Sequence, residues 1–587
     1  MLVTLVFFSK KSLEQSNINE QLTFYKQMLW FPFTKTKYLN RKEMHRFTIY
    51  FYYFVIVLSL FNGCRQVEGS KIRDGITKNN LLSTRSSTNF PGVSNEKTLT
   101  QDLYTESATK QEQVITKLNA TKLDQVIAKL NEDPFQQWRY KSTWRQLSDL
   151  KLNSDLMSSA IQPGDPNRLK NVLLKALRGE DINLVIIGGS NSAGGKLGVD
   201  EGSLGGLFFK VFTNWWNYTF GKAINAFVKE YEVTIGGTGS YVFAYCYRTF
   251  LPKQEEIDIV LIEGSINYNT RSKAESLEQL TRQVLAEPSA PAVLYINLVS
   301  GLGHDPKTKK VFNPSCINLE NFGQTELARH YAVTSFSLKE VLCRKERRGW
   351  KVAVTDFAGS DGRHIGIKAH AQVAMMMIEY VRSVFEHVLN DVSSGVYAKK
   401  ITPIAQLPKL FFVKEGTEAL KEPLCWTGIT PDILQGSHPT LLVEIVESKG
   451  FSLKESLDDG QNSDEDVISD LRTDEQGGWC AWDSYSILKI RIYVPPIKAQ
   501  CPNSRSVTIM TRTSGSGSKA KVWMDVDEEK AIYIDLKSIF GNNQLDTVAT
   551  RVEPGHHVIT VKTVRWGMFL LSGILVGPPD FQRRRVL

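Results

Sequence analysis

The chain has no C-x-x-C pair, no G-x-G-x-x-G turn, no complete P-loop and no Lys/Arg block longer than Arg583-Arg584-Arg585. Without C-x-x-C, zinc ribbons and thioredoxin-type redox sites lack their ligands. Without the glycine fingerprints, the chain lacks the usual cradles for a dinucleotide or a nucleotide phosphate. Gly189 and Gly194 have the P-loop separation, but Gly195 stands where that loop needs Lys, and Leu197 follows Lys196 where it needs Ser or Thr. Basic residues exceed acidic ones only mildly, 71 against 62 for a net charge of +9, so no surface is built to track a nucleic-acid backbone. No internal repeat of about 20–50 residues is visible, which excludes solenoids and propellers.

The sequence does hold the composition of a folded protein: 587 residues, 42% hydrophobic and 23% charged. That length predicts more than one domain. Residues 47–64 (FTIYFYYFVIVLSLFNGC) form an uncharged run, bracketed by Arg46 and Arg65 and preceded by Lys35, Lys37, Arg41 and Lys42. A basic flank followed by an apolar run addresses a chain to the secretory machinery. The run reads as a signal peptide or a signal anchor, and the sequence leaves the two open. Met44 makes a start of its own, which leaves residues 1–43 as an upstream extension, and Val67-x-Gly69 offers a cleavage site before Ser70. A retained anchor predicts a cytosolic amino terminus and a lumenal or extracellular body, giving a type II membrane protein; a cleaved one predicts a secreted protein. Six cysteines follow Cys64, an even number that suits disulfides in an oxidising compartment without specifying their pairing. Asn119-Ala-Thr and Asn217-Tyr-Thr are glycosylation sequons if this part is lumenal.

Residues 65–135 are rich in Ser, Thr, Lys, Asn and Gln, and read as a largely disordered stalk with a short helical pattern at residues 114–130. From Asp165 the pattern changes. Asp165 suits a helix cap and Pro166 a first turn, with Leu169, Val172, Leu173, Ala176 and Leu177 on one face and Gly179 as the stop. Apolar runs at residues 184–187, 259–262 and 292–299 read as buried parallel strands. Helical segments lie at residues 206–220, 273–285 and 365–389, and strands alternating with helices predict an α/β domain with a parallel sheet covered on both faces. After Gly395 period-2 patterns take over, at residues 441–445, 486–493, 506–512, 520–524, 531–534, 557–563 and 569–576, predicting an all-β sandwich or jelly roll. The acidic loop 455–470 lacks calcium-loop spacing and reads as a solvated excursion. The division is therefore 1–46 basic or spurious extension, 47–64 signal segment, 65–135 stalk, 136–395 α/β domain, 396–410 linker and 411–587 β-sandwich. The apolar Tyr397, Ile401 and Ile404 in the linker predict that the two domains pack together.

Four segments carry chemistry. Gly188-Gly189-Ser190-Asn191-Ser192 follows the first strand, where an open α/β sheet binds ligands. Gly236-Gly237-Thr238-Gly239 is a second glycine turn, Glu263-Gly264-Ser265-Ile266-Asn267 ends the strand at 259–262, and Asp361-Gly362-Arg363-His364 precedes the long helix. A Ser, an Asp/His pair, a backbone donor and an amide are the parts of acyl transfer: nucleophile, oriented base and oxyanion donors. Ser192 rivals Ser190 as nucleophile; His370 rivals His364 but reads as helix packing.

In this order the four segments resemble the blocks of the SGNH hydrolases, the GDSL-type esterases. Ser190 matches the block I nucleophile, Gly237 the block II glycine, Asn267 the block III asparagine, and Asp361 and His364 the D-x-x-H of block V. The resemblance covers about residues 165–390. It implies a three-layer α/β/α flavodoxin-like fold, a Ser190-His364-Asp361 triad, and an oxyanion hole from Ser190, Gly237 and Asn267, with no metal and no cofactor. The β-rich tail resembles the domain attached to some eukaryotic members. Gly189 departs from the usual block I aspartate and Tyr268 from the residue after the block III asparagine, which predicts an altered pocket. The expected function is a secretory-pathway hydrolase of a carboxylic ester, an O-acetyl group on a glycan being one substrate. A catalytically silent glycan- or protein-binding module and an O-acyltransferase are the alternatives. No nucleic acid is expected as partner, and a membrane only through residues 47–64.

Overall fold

The computed structural model describes residues 120–134, 152, 154–195, 197, 204–251, 256–267, 274–301, 317–347, 357–393, 407–412, 422–429, 438–454, 477–496, 505–538 and 541–577. The signal segment, the linker stretch 396–406, the acidic loop, Asn119, Tyr268, Cys316 and Cys501 lie outside them. The described residues all belong to the unit Lys97–Leu587. No described helix is long and apolar enough to cross a membrane.

The first sheet contains β1 (Ile161–Gln162), β2 (Ile182–Gly188), β3 (Val228–Thr234), β4 (Ile259–Ile262), β5 (Ala292–Asn297) and β6 (Thr334–Ser337). Their order is β1-β6-β5-β4-β2-β3, parallel except for the short β1 at the edge. From β3 to β6 this is the flavodoxin-like order, whose direction of winding reverses between β2 and β4. The crevice beyond the carboxyl ends of those two strands is therefore the expected ligand site. The apolar run in β2 works as two interleaved faces. Leu184 and Ile186 join the core under helices α2 (Asn167–Leu177), α3 (Phe208–Trp216) and α7 (Ile367–Ser393). Val185 and Ile187 join the core under α4 (Ser240–Cys246), α5 (Glu275–Leu285) and α6 (Gln324–His330). The result is the three-layer α/β/α domain.

The start of α2 follows its local signals: Asp165 Oδ1 accepts the Asn167 N–H at 3.0 Å, and Gly179 takes φ +78° beyond the last turn. The helix expected over 206–220 is divided, because a π-helical turn, Asn217–Gly221, follows α3. The stalk reading needs correction at its end. Helix α1 (Ala120–Leu130) docks on the α/β body: Val126 is buried, Lys129 Nζ donates to the Tyr218 carbonyl at 2.9 Å, and Arg382 Nη2 donates to the Glu132 carbonyl at 2.7 Å. Leu123, Val126, Ile127 and Leu130 recur at helical spacing, and that stripe outweighs the polar average of the surrounding sequence.

The carboxyl-terminal part has strands β7 (Leu424–Thr427), β8 (Val443–Lys449), β9 (Ser452–Lys454), β10 (Gly478–Ala481), β11 (Ile487–Val494), β12 (Ser506–Arg512), β13 (Lys519–Met524), β14 (Ile532–Asp535), β15 (Asn543–Ala549), β16 (Gly555–Thr563) and β17 (Phe569–Gly577). They form two antiparallel sheets, β15-β12-β17-β10-β9 with β7 also on β17, and β14-β13-β16-β11-β8. This is the β-sandwich. Strand β11 alternates, with Leu488, Ile490, Ile492 and Val494 in the sandwich core. Strands β12 and β17 are buried on both faces. Their outer side chains, Met510 and Leu575, pack with Leu545 and Cys425 into the α4–α5 core of the α/β domain. A disulfide from Cys246 in α4 to Cys425 in β7 ties the two domains. Cys343 is also disulfide-bonded, and Cys480 is a buried thiol in β10.

Candidate active site

Ser190 stands two residues beyond β2, in a turn closed by Ala193 N–H to the Gly189 carbonyl (3.0 Å) and Gly195 N–H to the Ser190 carbonyl (2.7 Å). His364 reaches it from the loop before α7. His364 Nε2 lies 2.8 Å from Ser190 Oγ, and His364 Nδ1 lies 2.6 Å from Asp361 Oδ2. With Nδ1 protonated toward the carboxylate, Nε2 is free to accept the serine proton. The other oxygen of Asp361 accepts the N–H groups of Arg363 and His364, each at 2.9 Å, so the acid shapes the turn that presents its own partner. Burial pushes the Asp361 carboxyl up, but the hydrogen bond and charge of His364 and the two N–H groups outweigh it and hold the group at about 2. Asn191, beside the serine, takes the Ile365 N–H on its Oδ1 at 3.0 Å and pins the far side of the histidine loop.

Gly237 has φ +65°, a conformation that favours glycine. A Cβ on its neighbour Gly236 would lie 3.9 Å from the Ser190 Cβ, which puts this turn against Ser190. Asn267 Nδ2 donates to the Thr238 carbonyl at 3.1 Å, bridging the second and third segments. The backbone N–H groups of Ser190 and Gly237 have no acceptor among the described residues. A Cβ at Gly189 would come within 2.2 Å of Asn267 Nδ2. A side chain at this position would require the Asn267 amide to shift.

Glu263 was only part of a motif in the sequence, and the structure gives it a place of its own. Its buried carboxylate accepts the Gly189 N–H at 3.0 Å and the Ser192 Oγ–H at 3.3 Å. Burial raises it to about 7, against the lowering effects of the Gly189 N–H, Ser192 and the charge of His364. The available signal was an acid that directly ends an apolar strand at the sheet's switch point. Ser192, the rival nucleophile, is buried and hydrogen-bonds that carboxylate, and no hydrogen bond joins it to His364. His370 is buried too. Its Nδ1 accepts the Phe208 N–H at 3.3 Å, and burial, with a smaller effect from the charge of His364, depresses it to about 3. Asn217 opens the π-helical turn, half-buried, with Oδ1 accepting the Val228 N–H at 2.8 Å. Trp215 and Trp216 are core side chains.

No protein-family model matches the chain, and no curated protein matches it. Among solved structures it is similar to a two-domain esterase active on acetylated mannans, with 21% identity, 72% of this chain and 99% of that one covered, and a TM-score of 0.49. The co-crystal of such an esterase with mannopentaose gives 20% identity, coverage of 73% and 99%, and a TM-score of 0.47. The psychrotrophic esterase EstA from Pseudoalteromonas sp., inhibited by monoethylphosphonate, gives 16% identity, coverage of 35% and 98%, and a TM-score of 0.24.

Proposed function

We propose that this chain is a serine hydrolase of carboxylic esters. The observation that carries the reading is the unbroken chain of hydrogen bonds from Ser190 Oγ through His364 to Asp361, 2.8 and 2.6 Å, at the switch point of the sheet. Ser190 Oγ attacks the acyl carbon as its proton passes to His364 Nε2. The oxyanion takes hydrogen bonds from the N–H groups of Ser190 and Gly237 and from the Asn267 amide. The intermediate collapses, the C–O bond to the alcohol breaks, and His364 returns the proton to the leaving oxygen. Water then gives a proton to His364 and attacks the acyl-enzyme; release of the acid restores Ser190. Asp361 keeps the imidazole in the required tautomer throughout.

The substrate in this reading is an O-acetylated glycan, and the body of the chain lies in the secretory pathway. An intramolecular disulfide suits an oxidising compartment. The sandwich exposes Trp482, Tyr485 and Trp566, of which Tyr485 and Trp566 are 68% and 69% accessible. The Trp482 and Trp566 loops are joined by the Gly567 N–H to the Trp482 carbonyl at 2.9 Å, and exposed rings of this kind suit a sugar face. Hydrolysis of acetyl esters by the purified body, and labelling of Ser190 by a fluorophosphonate, test the chemistry. A wild-type protein that cleaves no ester and takes no label would leave a binding module on the same scaffold. Acyl transfer to an added alcohol in competition with water would reveal a transferase.

A further inference from the structure

The loop that supplies the Gly237 donor belongs to the α/β domain, yet it is held largely from the sandwich. Arg512, at the end of β12 and only 6% exposed, donates from Nη1 to the Gly236 carbonyl at 3.0 Å. Asn543, at the start of β15, donates its N–H to the Gly237 carbonyl at 3.0 Å and its Nδ2 to Thr238 Oγ1 at 2.6 Å. The Tyr241 hydroxyl, in the first turn of the following helix, closes the joint by donating to the Asn543 carbonyl at 2.8 Å. A Cβ at Gly237 would meet the Gly541 carbonyl oxygen at 2.4 Å and Arg512 Nη1 at 2.7 Å, so the sandwich fits against the bare backbone of this residue.

We propose that Arg512 is a positioning residue for ester hydrolysis, acting from the β-sandwich on the oxyanion-binding peptide of the α/β domain. The inference rests on the serine-hydrolase reading above. In a planar trans peptide the C=O and the N–H point in opposite directions. The bond from Arg512 to the Gly236 carbonyl therefore turns the Gly237 N–H away from the sandwich, to the side where Ser190 lies. A flip of this peptide would withdraw the donor, and with glycine on both sides little steric resistance opposes the flip. The arginine also carries charge. No carboxylate is within ion-pair distance of it among the described residues, and burial lowers it only to about 10, so it stays cationic at neutral pH. A cation on the carbonyl end polarises the peptide and makes its N–H a stronger donor to developing negative charge.

The test is steady-state hydrolysis of p-nitrophenyl acetate by the full chain, with thermal melting and fluorophosphonate labelling alongside. Arg512→Met is expected to lower kcat by about 10–100-fold, a fraction of the loss for a whole oxyanion donor, with KM within about threefold. Fluorophosphonate labelling should slow in parallel, because phosphonylation also develops charge on that oxygen. Arg512→Lys should recover most of the loss, since an ammonium can still donate to the Gly236 carbonyl. A folded Arg512→Met protein with wild-type kcat overturns the inference and leaves the hydrolase reading standing. So does a loss found only in KM, or one that Lys does not rescue. A wild-type protein inert to both ester and fluorophosphonate overturns both. If Arg512→Met does not fold, Arg512→Gln decides: this neutral amide should lower kcat, and an unchanged kcat refutes the positioning role.

Discussion

The two sides of the candidate site are built differently. Ser190, His364 and Asp361 come from loops of one domain and are fixed by bonds within it: Asp361 shapes its own turn, and Asn191 pins the segment after the histidine. The glycine turn on the other side, the proposed oxyanion side, is held by two domains, with Gly236, Gly237 and Thr238 bonded to Arg512 and Asn543 of the sandwich. Ser190, His364 and Asp361 hold one another directly, from the turn after β2 and the loop before α7. A glycine turn has no side chains to hold its peptides in place, so its orientation must come from outside.

The largest losses are expected at Ser190 and His364. Ser190→Ala and His364→Ala should each lower ester turnover by orders of magnitude, and the double variant should lose little more, because the two groups act as one unit. Ser192→Ala, checked in the same assay, should remain substantially active, since Ser192 hydrogen-bonds Glu263 and not His364.

On the oxyanion side a single removal should cost less. Asn267→Ala is expected to reduce kcat about 10²–10³-fold, the usual effect of one lost donor. Part of that loss reflects the freed Thr238 carbonyl, which the amide now holds. A loss as large as that of Ser190→Ala would erase the distinction between the sides.

The seam between the domains has its own test. Cys246 and Cys425 are 179 residues apart in sequence, and replacing both by Ala should cost about 2–5 kcal/mol in denaturant unfolding. With the bond intact the described unit should unfold in one transition, because Met510, Leu545 and Leu575 share a core with α4 and α5. Two separated transitions in the oxidised wild type would show that the seam does not couple the halves.

The smallest effects should come from two buried groups near the candidate site, and they have opposite signs. His370 has a folded pKa of about 3, below its ordinary 6.5. The unfolded chain binds the proton that the folded one refuses, so stability falls as pH drops from about 6.5 toward 3. Glu263 is raised from 4.5 to about 7; the folded state keeps its proton longer, and stability falls as pH rises from about 4.5 to 7. In melting temperature measured against pH, Glu263→Gln should flatten the second slope and His370→Asn the first.

Much of the fold was legible as local pattern. Strand β12 matches residues 506–512 as read from alternation, and β4 matches the apolar run 259–262. Strand β3 lies outside the local pattern because it opens Val228-Lys229-Glu230 at the sheet edge, two charged residues with Lys229 exposed and its neighbours half-buried. Strand β17 reads FLLSGILVG, and the reason lies outside the strand: one face fills the sandwich core, while on the other Leu575 reaches the interdomain core and Leu570 packs with Cys480 and Met568.

The chain by itself determined what depends on neighbours in sequence: the caps and stop of α2, the period of each strand, and the short segments that hold Ser190, Gly237, Asn267, Asp361 and His364. Tertiary structure alone decided which distant groups meet. Arg512 is 276 positions from Gly236, and Glu263 is 74 from Gly189. Periodicity and spacing record which face of an element is apolar. They carry no record of which polar group another part of the chain brings to a bare peptide, because that pairing is set by how whole layers pack.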